Sequence, residues 1–123
     1  MEVIQFKDLS YKVNGILFET QNTLGTKFQE KHYSKTICVY LDQLGIPYAT
    51  EVPFEIRVNG QIIGKFRADL IIDNKILIEL KATDRLTKDH KLQMLRYLQA
   101  LDLKLGLLVN FRISPLQIWR VVK

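Results

Sequence analysis

The chain is poor in the residues that staple, span or disorder a protein. A single cysteine, Cys38, stands among its 123 residues, which excludes an internal disulfide framework and a cysteine-based zinc site. That scarcity points to a reducing, cytoplasmic setting. Its longest apolar runs are five residues, Ile37 to Leu41 and Leu105 to Val109 with Gly106 counted in. A membrane-spanning helix needs about 20. The first fifteen residues carry Glu2, Lys7, Asp8 and Lys12, so they lack the apolar core of a signal peptide. No stretch rich in Pro, Gly or Ser interrupts the chain and no repeat is visible, so residues 1–123 read as one domain. Charge of one sign is also modest. The 18 Lys and Arg exceed the 13 Asp and Glu by five, a balance that permits a nucleic-acid partner without demanding one. What is present is an ordinary globular composition, 47% hydrophobic and 25% charged, which excludes disorder. At this length, folding buries roughly two-thirds of the unfolded chain's surface, enough for a core.

Local signals predict an order of elements. A helix is expected from Ser10 to about Asn22, with Ser10 or Asp8 as its N-cap and Leu24-Gly25 at its end. A second is expected from about Lys27 to Leu44, where Thr26 and Gln29 have capping-box spacing and Gly45 and Pro47 form a stop. Strands follow at Glu51 to Val58, Gln61 to Ile63, Phe66 to Ile72 and Ile76 to Leu80. Asn59-Gly60 and Asp73-Asn74-Lys75 supply turns. A helix from Thr87 to Leu101 and strands at Leu105 to Asn110 and Leu116 to Val122 complete the chain. The class is α/β or α+β, a mixed sheet with flanking helices.

Polar residues stand where this pattern calls for apolar ones. On the second helix Glu30, Tyr33, Ile37, Leu41 and Leu44 share an arc of about 80°. A carboxylate therefore heads a core-facing stripe. Buried alone it would cost several kcal/mol, roughly, unless a cation, a proton or hydrogen-bond donors meet it. The same position also reads as a helix start facing water.

The hairpin around Asp73-Asn74-Lys75 is more specific. A three-residue loop pairs Ile72 with Ile76, Leu70 with Ile78 and Ala68 with Leu80, all apolar. Asp69 then lies opposite Glu79, with Lys81 two residues along on the same face. A two-residue loop would mix the faces, because a slip of one residue turns side chains across the sheet. Two carboxylates about 5 Å apart repel by about 3 kcal/mol at an effective dielectric near 20. A divalent cation relieves this, since Mg²⁺ binds one or two carboxylates with waters and phosphate oxygens. A solvated face neutralised by Lys81 and Arg67 is the other reading. On the last helix Gln93 and Tyr97 are spaced i, i+4 at the edge of an apolar arc, with His90 on the same side. Each taken alone is packing or surface.

The ordered set Glu30, Asp69, Glu79-Leu80-Lys81, Gln93 and Tyr97 resembles the PD-(D/E)XK nuclease superfamily. Within it the chain resembles the small bacterial GxxExxY proteins. The resemblance covers nearly the whole chain, through Leu24-Gly25, Phe28, Glu30 and Tyr33, then Arg67-Ala68-Asp69-Leu70 and Ile78 to Ala82. It continues through Gln93, Tyr97-Leu98 and Gly106 to Phe111. Lys27 stands where the family name has its first glycine, and Arg112 where a glycine is expected after Asn110-Phe111.

The resemblance implies a restriction-endonuclease-like α/β fold and a nuclease. Asp69, Glu79, the Leu80 carbonyl and Glu30 would hold Mg²⁺ or Mn²⁺. Lys81 would assist the attacking water, Gln93 would position it and Tyr97 would support Gln93. The partner would be nucleic acid, DNA in the first instance, with no membrane and with a homodimer open to it. Lys88, Lys91 and Arg96, on one helix, are the expected nucleic-acid contacts. Two other readings keep the fold: a non-catalytic nucleic-acid- or protein-binding module, and a dimeric enzyme resembling Holliday-junction resolvases.

Overall fold

The computed structural model describes residues 6–123; Glu2 lies outside them. Two helices, α1 (Lys7–Leu24) and α2 (Glu30–Leu44), end on Gly25 and Gly45 at φ 77° and 68°. These are left-handed or related conformations that glycine adopts without strain. Both helices start elsewhere than the sequence signals suggest. Phe6, not Ser10 or Asp8, precedes α1. In α2 the capping box is formed by Gln29 and His32, so Thr26 stays outside and Glu30 becomes the first helical residue. The Gln29 N–H donates to His32 Nδ1 at 3.1 Å.

The rest of the chain is β1 (Tyr48–Val58), β2 (Gln61–Ile72), β3 (Ile76–Lys81), α3 (Lys88–Leu101), β4 (Leu105–Asn110) and β5 (Gln117–Val122). The five strands form one mixed sheet in the order β1-β2-β3-β4-β5. Only β3 and β4 run parallel, joined through α3. β2 is continuous rather than split, because Gly64 and Lys65 still pair with Ile56 and Glu55. Its register with β3 follows the apolar pattern: Leu70 opposes Ile78, Ile71 opposes Leu77 and Ile72 opposes Ile76.

Helices cover both faces. α1 and α2 pack Val13, Leu17, Tyr33, Ile37 and Leu41 over Leu70, Ile72, Ile78, Leu80 and Val109. Tyr33 stacks on Phe111 at 4.2 Å between ring centroids, and its hydroxyl donates to the Gly25 carbonyl at 2.7 Å. The link between the two helices is thereby tied to the core just before Glu30. On the other face α3 packs Met94, Tyr97 and Leu98 over Ile71, Leu77, Leu108 and Val121. Gly106 permits this approach, since a Cβ there would overlap the Met94 side chain.

One expectation fails in an informative way. Ala68 does not share a face with Leu70. It packs on the α3 side with Val52, Phe54 and Phe66, whereas Leu70, Ile72 and Tyr48 pack on the α1/α2 side. β1 and β2 therefore change faces together. Thr50 opposes Leu70 and Val52 opposes Ala68, so the change falls at Glu51 and Asp69. On β1 the change is made at Glu51, whose φ of 48° is a left-handed conformation inside a strand. A non-glycine residue there costs on the order of 1 kcal/mol or more. Glycine at 51 is accordingly expected to leave stability unchanged or slightly raised. Glu51→Ile, despite its better strand propensity, is expected to lose about 1–2 kcal/mol. Urea denaturation of the two variants measures this; a more stable isoleucine variant would contradict a strained backbone at Glu51.

Candidate active site

The face change opens the sheet at one point. β2 and β3 are paired as far as Leu70 and Ile78, and beyond that the carboxylates take over. The Asp69 N–H donates to Glu79 Oε2 at 2.8 Å, and the Leu80 N–H donates to Asp69 Oδ2 at 2.8 Å. Backbone groups of neighbouring strand residues point to opposite sides. The Lys81 carbonyl accepts from Phe111 N–H on the β4 side. Those of Leu80 consequently face the gap that β2 has left, and its carbonyl is turned toward the two acids.

The environment penalises the charges gathered here. Glu79 is 4% exposed, and burial, then the Asp69 charge, push its pKa up to about 8. Asp69 is also raised, by burial first; the Leu80 N–H and Lys81 oppose this and Glu51 adds to it. Glu30 is exposed at the start of α2, as the alternative reading of its position had it. Even so, surrounding protein and then Asp69 raise its pKa, while Lys81 and the Ala82 N–H favour its charged form. The helix thus aims Glu30 at the end of β3. Among the described residues no three His, Cys, Asp or Glu side chains gather closely enough to hold an ion by themselves. Asp69 and Glu79 form a pair, and Glu30 stands beside them.

The cation in this group is held from α3. Lys81 Nζ donates to Gln93 Oε1 at 3.3 Å, and Gln93 Nε2 donates to the Tyr97 hydroxyl at 3.4 Å. The i, i+4 spacing therefore serves as a relay from helix to strand end. Tyr97 is raised by burial, then by Glu79 and Asp69, which places it against the acids from behind. His90 belongs to the cap of α3: the Thr87 N–H donates to its Nδ1 at 3.0 Å. Burial and then Lys81 lower its pKa, in keeping with that acceptor role.

Three residues outside the expected set shape the site. The fully buried Asn110 binds both backbone groups of Thr83 and accepts from Arg112 N–H, which fastens the loop after Lys81. Lys31 and Lys35, one turn apart on α2, line a cleft of about 450 Å³ with Glu30, Ser34, Asp69 and Leu80. No motif flags these lysines; only the packing of α2 over the gap brings them to it. Lys88 and Lys91 line a separate cleft, and the exposed Arg96 lines neither.

Two carboxylates, both penalised as anions, and a carbonyl facing the same gap match what Mg²⁺ or Mn²⁺ takes from a protein when water and phosphate complete its shell. Asp69, Glu79 and Leu80 thus have the chemistry to hold such an ion. The acids also set a sign for stability without metal. Between about pH 4.5, the ordinary value for Glu79, and about 8, the folded chain retains a proton that the unfolded chain has lost. Folding stability in EDTA is therefore expected to fall across that interval, by up to about 4 kcal/mol, with most of the loss absent in Glu79→Gln. Urea midpoints at pH 5 and 8 measure it. Parallel pH dependences of the two proteins would show that Glu79 is not the group responsible.

With this geometry the comparisons with known proteins agree. No curated protein matches the chain. Among solved structures it is similar to one titled "Crystal structure of SSO0001", at 23% identity and a TM-score of 0.54. The similarity covers 90% of this chain and 65% of that one, and at this identity it speaks for the shared fold. Among the described residues no helix is long and apolar enough to cross a membrane. A family model for the PD-(D/E)XK nuclease superfamily matches residues 7–121, from the start of α1 into β5, which include all the residues of the site. The chain therefore belongs to the PD-(D/E)XK nuclease superfamily.

Proposed function

We propose that the chain hydrolyses phosphodiester bonds in DNA with a divalent metal, and that within the superfamily it stands with the GxxExxY proteins. The observation that carries this reading is the reciprocal bonding of Asp69 and Glu79 at the parting of β2 and β3, with Lys81 drawn to the same place. Asp69, Glu79 and the Leu80 carbonyl would hold Mg²⁺ or Mn²⁺, with Glu30 joining from α2. Bound there, the ion would act as a Lewis acid on the phosphate and lower the pKa of a water.

The chain's own residues supply the remainder. Lys81 donates to the attacking water or to a non-bridging phosphate oxygen and offsets the negative charge growing at phosphorus. Gln93 holds the Lys81 ammonium in place, and Tyr97 holds Gln93. Both are positioning residues. Lys31 and Lys35 border the cleft along α2, among the acids Glu30, Asp42, Glu51 and Asp69, and are the cations there that meet the DNA backbone.

A dimeric enzyme acting on branched DNA is a second reading, favoured by one feature. Val58, Ile62 and Ile63 are exposed near the tip of the long β1–β2 hairpin, an apolar surface for a second copy.

Cleavage of plasmid, linear duplex and four-way junction DNA in Mg²⁺, Mn²⁺ or EDTA tests these readings. Wild type is expected to cut in either metal and not in EDTA. Asp69→Asn and Lys81→Ala are expected to lose about 10²-fold or more, and Gln93→Ala less. Equal cutting by Lys81→Ala would point to a contaminant and end the proposal. Salt-dependent binding in EDTA with no cutting in metal would assign the chain to the non-catalytic reading. A marked preference for junctions would favour the dimeric one.

A further inference from the structure

The first turn of α3 and the edge strand β5 enclose a second groove, away from the acids. Lys88, Lys91, Ile118, Trp119, Arg120 and Val121 line its volume of about 480 Å³. Trp119 is the chain's one tryptophan and is partly exposed, its buried part packing with Val121 against the α3 core. Among the described residues neither Lys88 nor Lys91 forms an ion pair. Among the described residues no acidic side chain lines the groove.

We infer that this groove binds a single-stranded polynucleotide, stacking one base on Trp119 while Lys88 and Lys91 hold the adjoining phosphates. Inside a duplex the neighbouring bases cover both faces of a base, whereas a single strand can unstack one onto an indole; stacking combined with cationic side chains is how proteins track single strands. The groove has the size of a small-molecule site, for which about 300–1,000 Å³ is usual, and so takes a nucleotide rather than a duplex. On α3, Lys88 and Lys91 lie roughly 140–240° around the axis from Gln93 and Tyr97. A strand occupying both places would wrap the first turn of α3, with unpaired nucleotides flanking the bond that is cut. This deepens the nuclease reading and rests on it for the nature of the polymer.

The tryptophan gives a direct readout. The full chain in EDTA is titrated with a dT oligonucleotide, an rU oligonucleotide, a blunt duplex and inorganic polyphosphate, following Trp119 fluorescence. Single strands are expected to quench it, with an affinity that falls as salt rises. The preferred sugar is read from the two oligonucleotides. By fluorescence anisotropy of a labelled strand, Trp119→Ala is expected to weaken binding about tenfold or more, and Trp119→Phe less. Lys88→Ala with Lys91→Ala is expected to weaken binding and flatten its salt dependence. Quenching by duplex or polyphosphate equal to that by single strands would overturn the inference, as would unchanged affinity in Trp119→Ala. Asp69→Asn separates the two proposals. Quenching without cutting by wild type sinks the nuclease reading alone. Cutting by wild type, with no quenching in either protein, sinks the groove alone.

Discussion

Where β2 turns away from β3, the N–H groups of Asp69 and Leu80 are answered by carboxylates rather than carbonyls. That exchange holds the site together. It keeps two like charges side by side, because each carboxylate satisfies a backbone donor that the parting strands would otherwise leave without a partner. It also turns the Leu80 carbonyl toward a gap instead of into a ladder. Without the parting, the Asp69 and Leu80 N–H groups would be spent on ladder bonds and would hold neither carboxylate.

The parting has a counterpart in the outer strand. Glu51 stands between Thr50 and Val52, which oppose Leu70 and Ala68, and its left-handed backbone marks where β1 passes from the α1/α2 side to the α3 side as β2 does. The strain lies beside the acids rather than on them. Glu51 carries a charge as well, and that charge adds to the penalty on Asp69. The surroundings of Asp69 and Glu79 thus favour a proton or a cation, while Lys81, tied to Gln93, supplies only part of the compensation.

The same geometry distributes labour between the two helical layers. α2 brings Glu30, Lys31 and Lys35 to one side of the gap. α3 brings Gln93 and Tyr97 to the other and carries Lys88 and Lys91 to a different groove beyond its first turn. Asn110 and Gln21 hold the connecting loops, Asn110 through Thr83 and Gln21 through the carbonyls of Phe111 and Ile113. A rigid frame of this kind suits a site whose groups must keep a fixed spacing.

Element order and the β2–β3 register were legible in the sequence, because apolar periodicity permits one pairing across Asp73-Asn74-Lys75 and Gly25 and Gly45 mark helix ends. The neighbourhood of Asp69, Glu79 and Lys81 followed from that register. Other features were not legible. Gln29 and His32 capped α2 where Thr26 was expected, since competing capping residues stand side by side and packing of Tyr33 chooses between them. The move of Ala68 to the other face depends on a backbone conformation at Glu51 that its side chain does not advertise. The approach of Lys31 and Lys35 to the acids, and of Trp119 to Lys88 and Lys91, joins residues distant in the chain. Local periodicity thus determined the pairing of Leu70, Ile71 and Ile72 with Ile78, Leu77 and Ile76. Only the tertiary structure decided where the sheet opens and what reaches the opening, because both depend on how helices far apart in sequence pack across it.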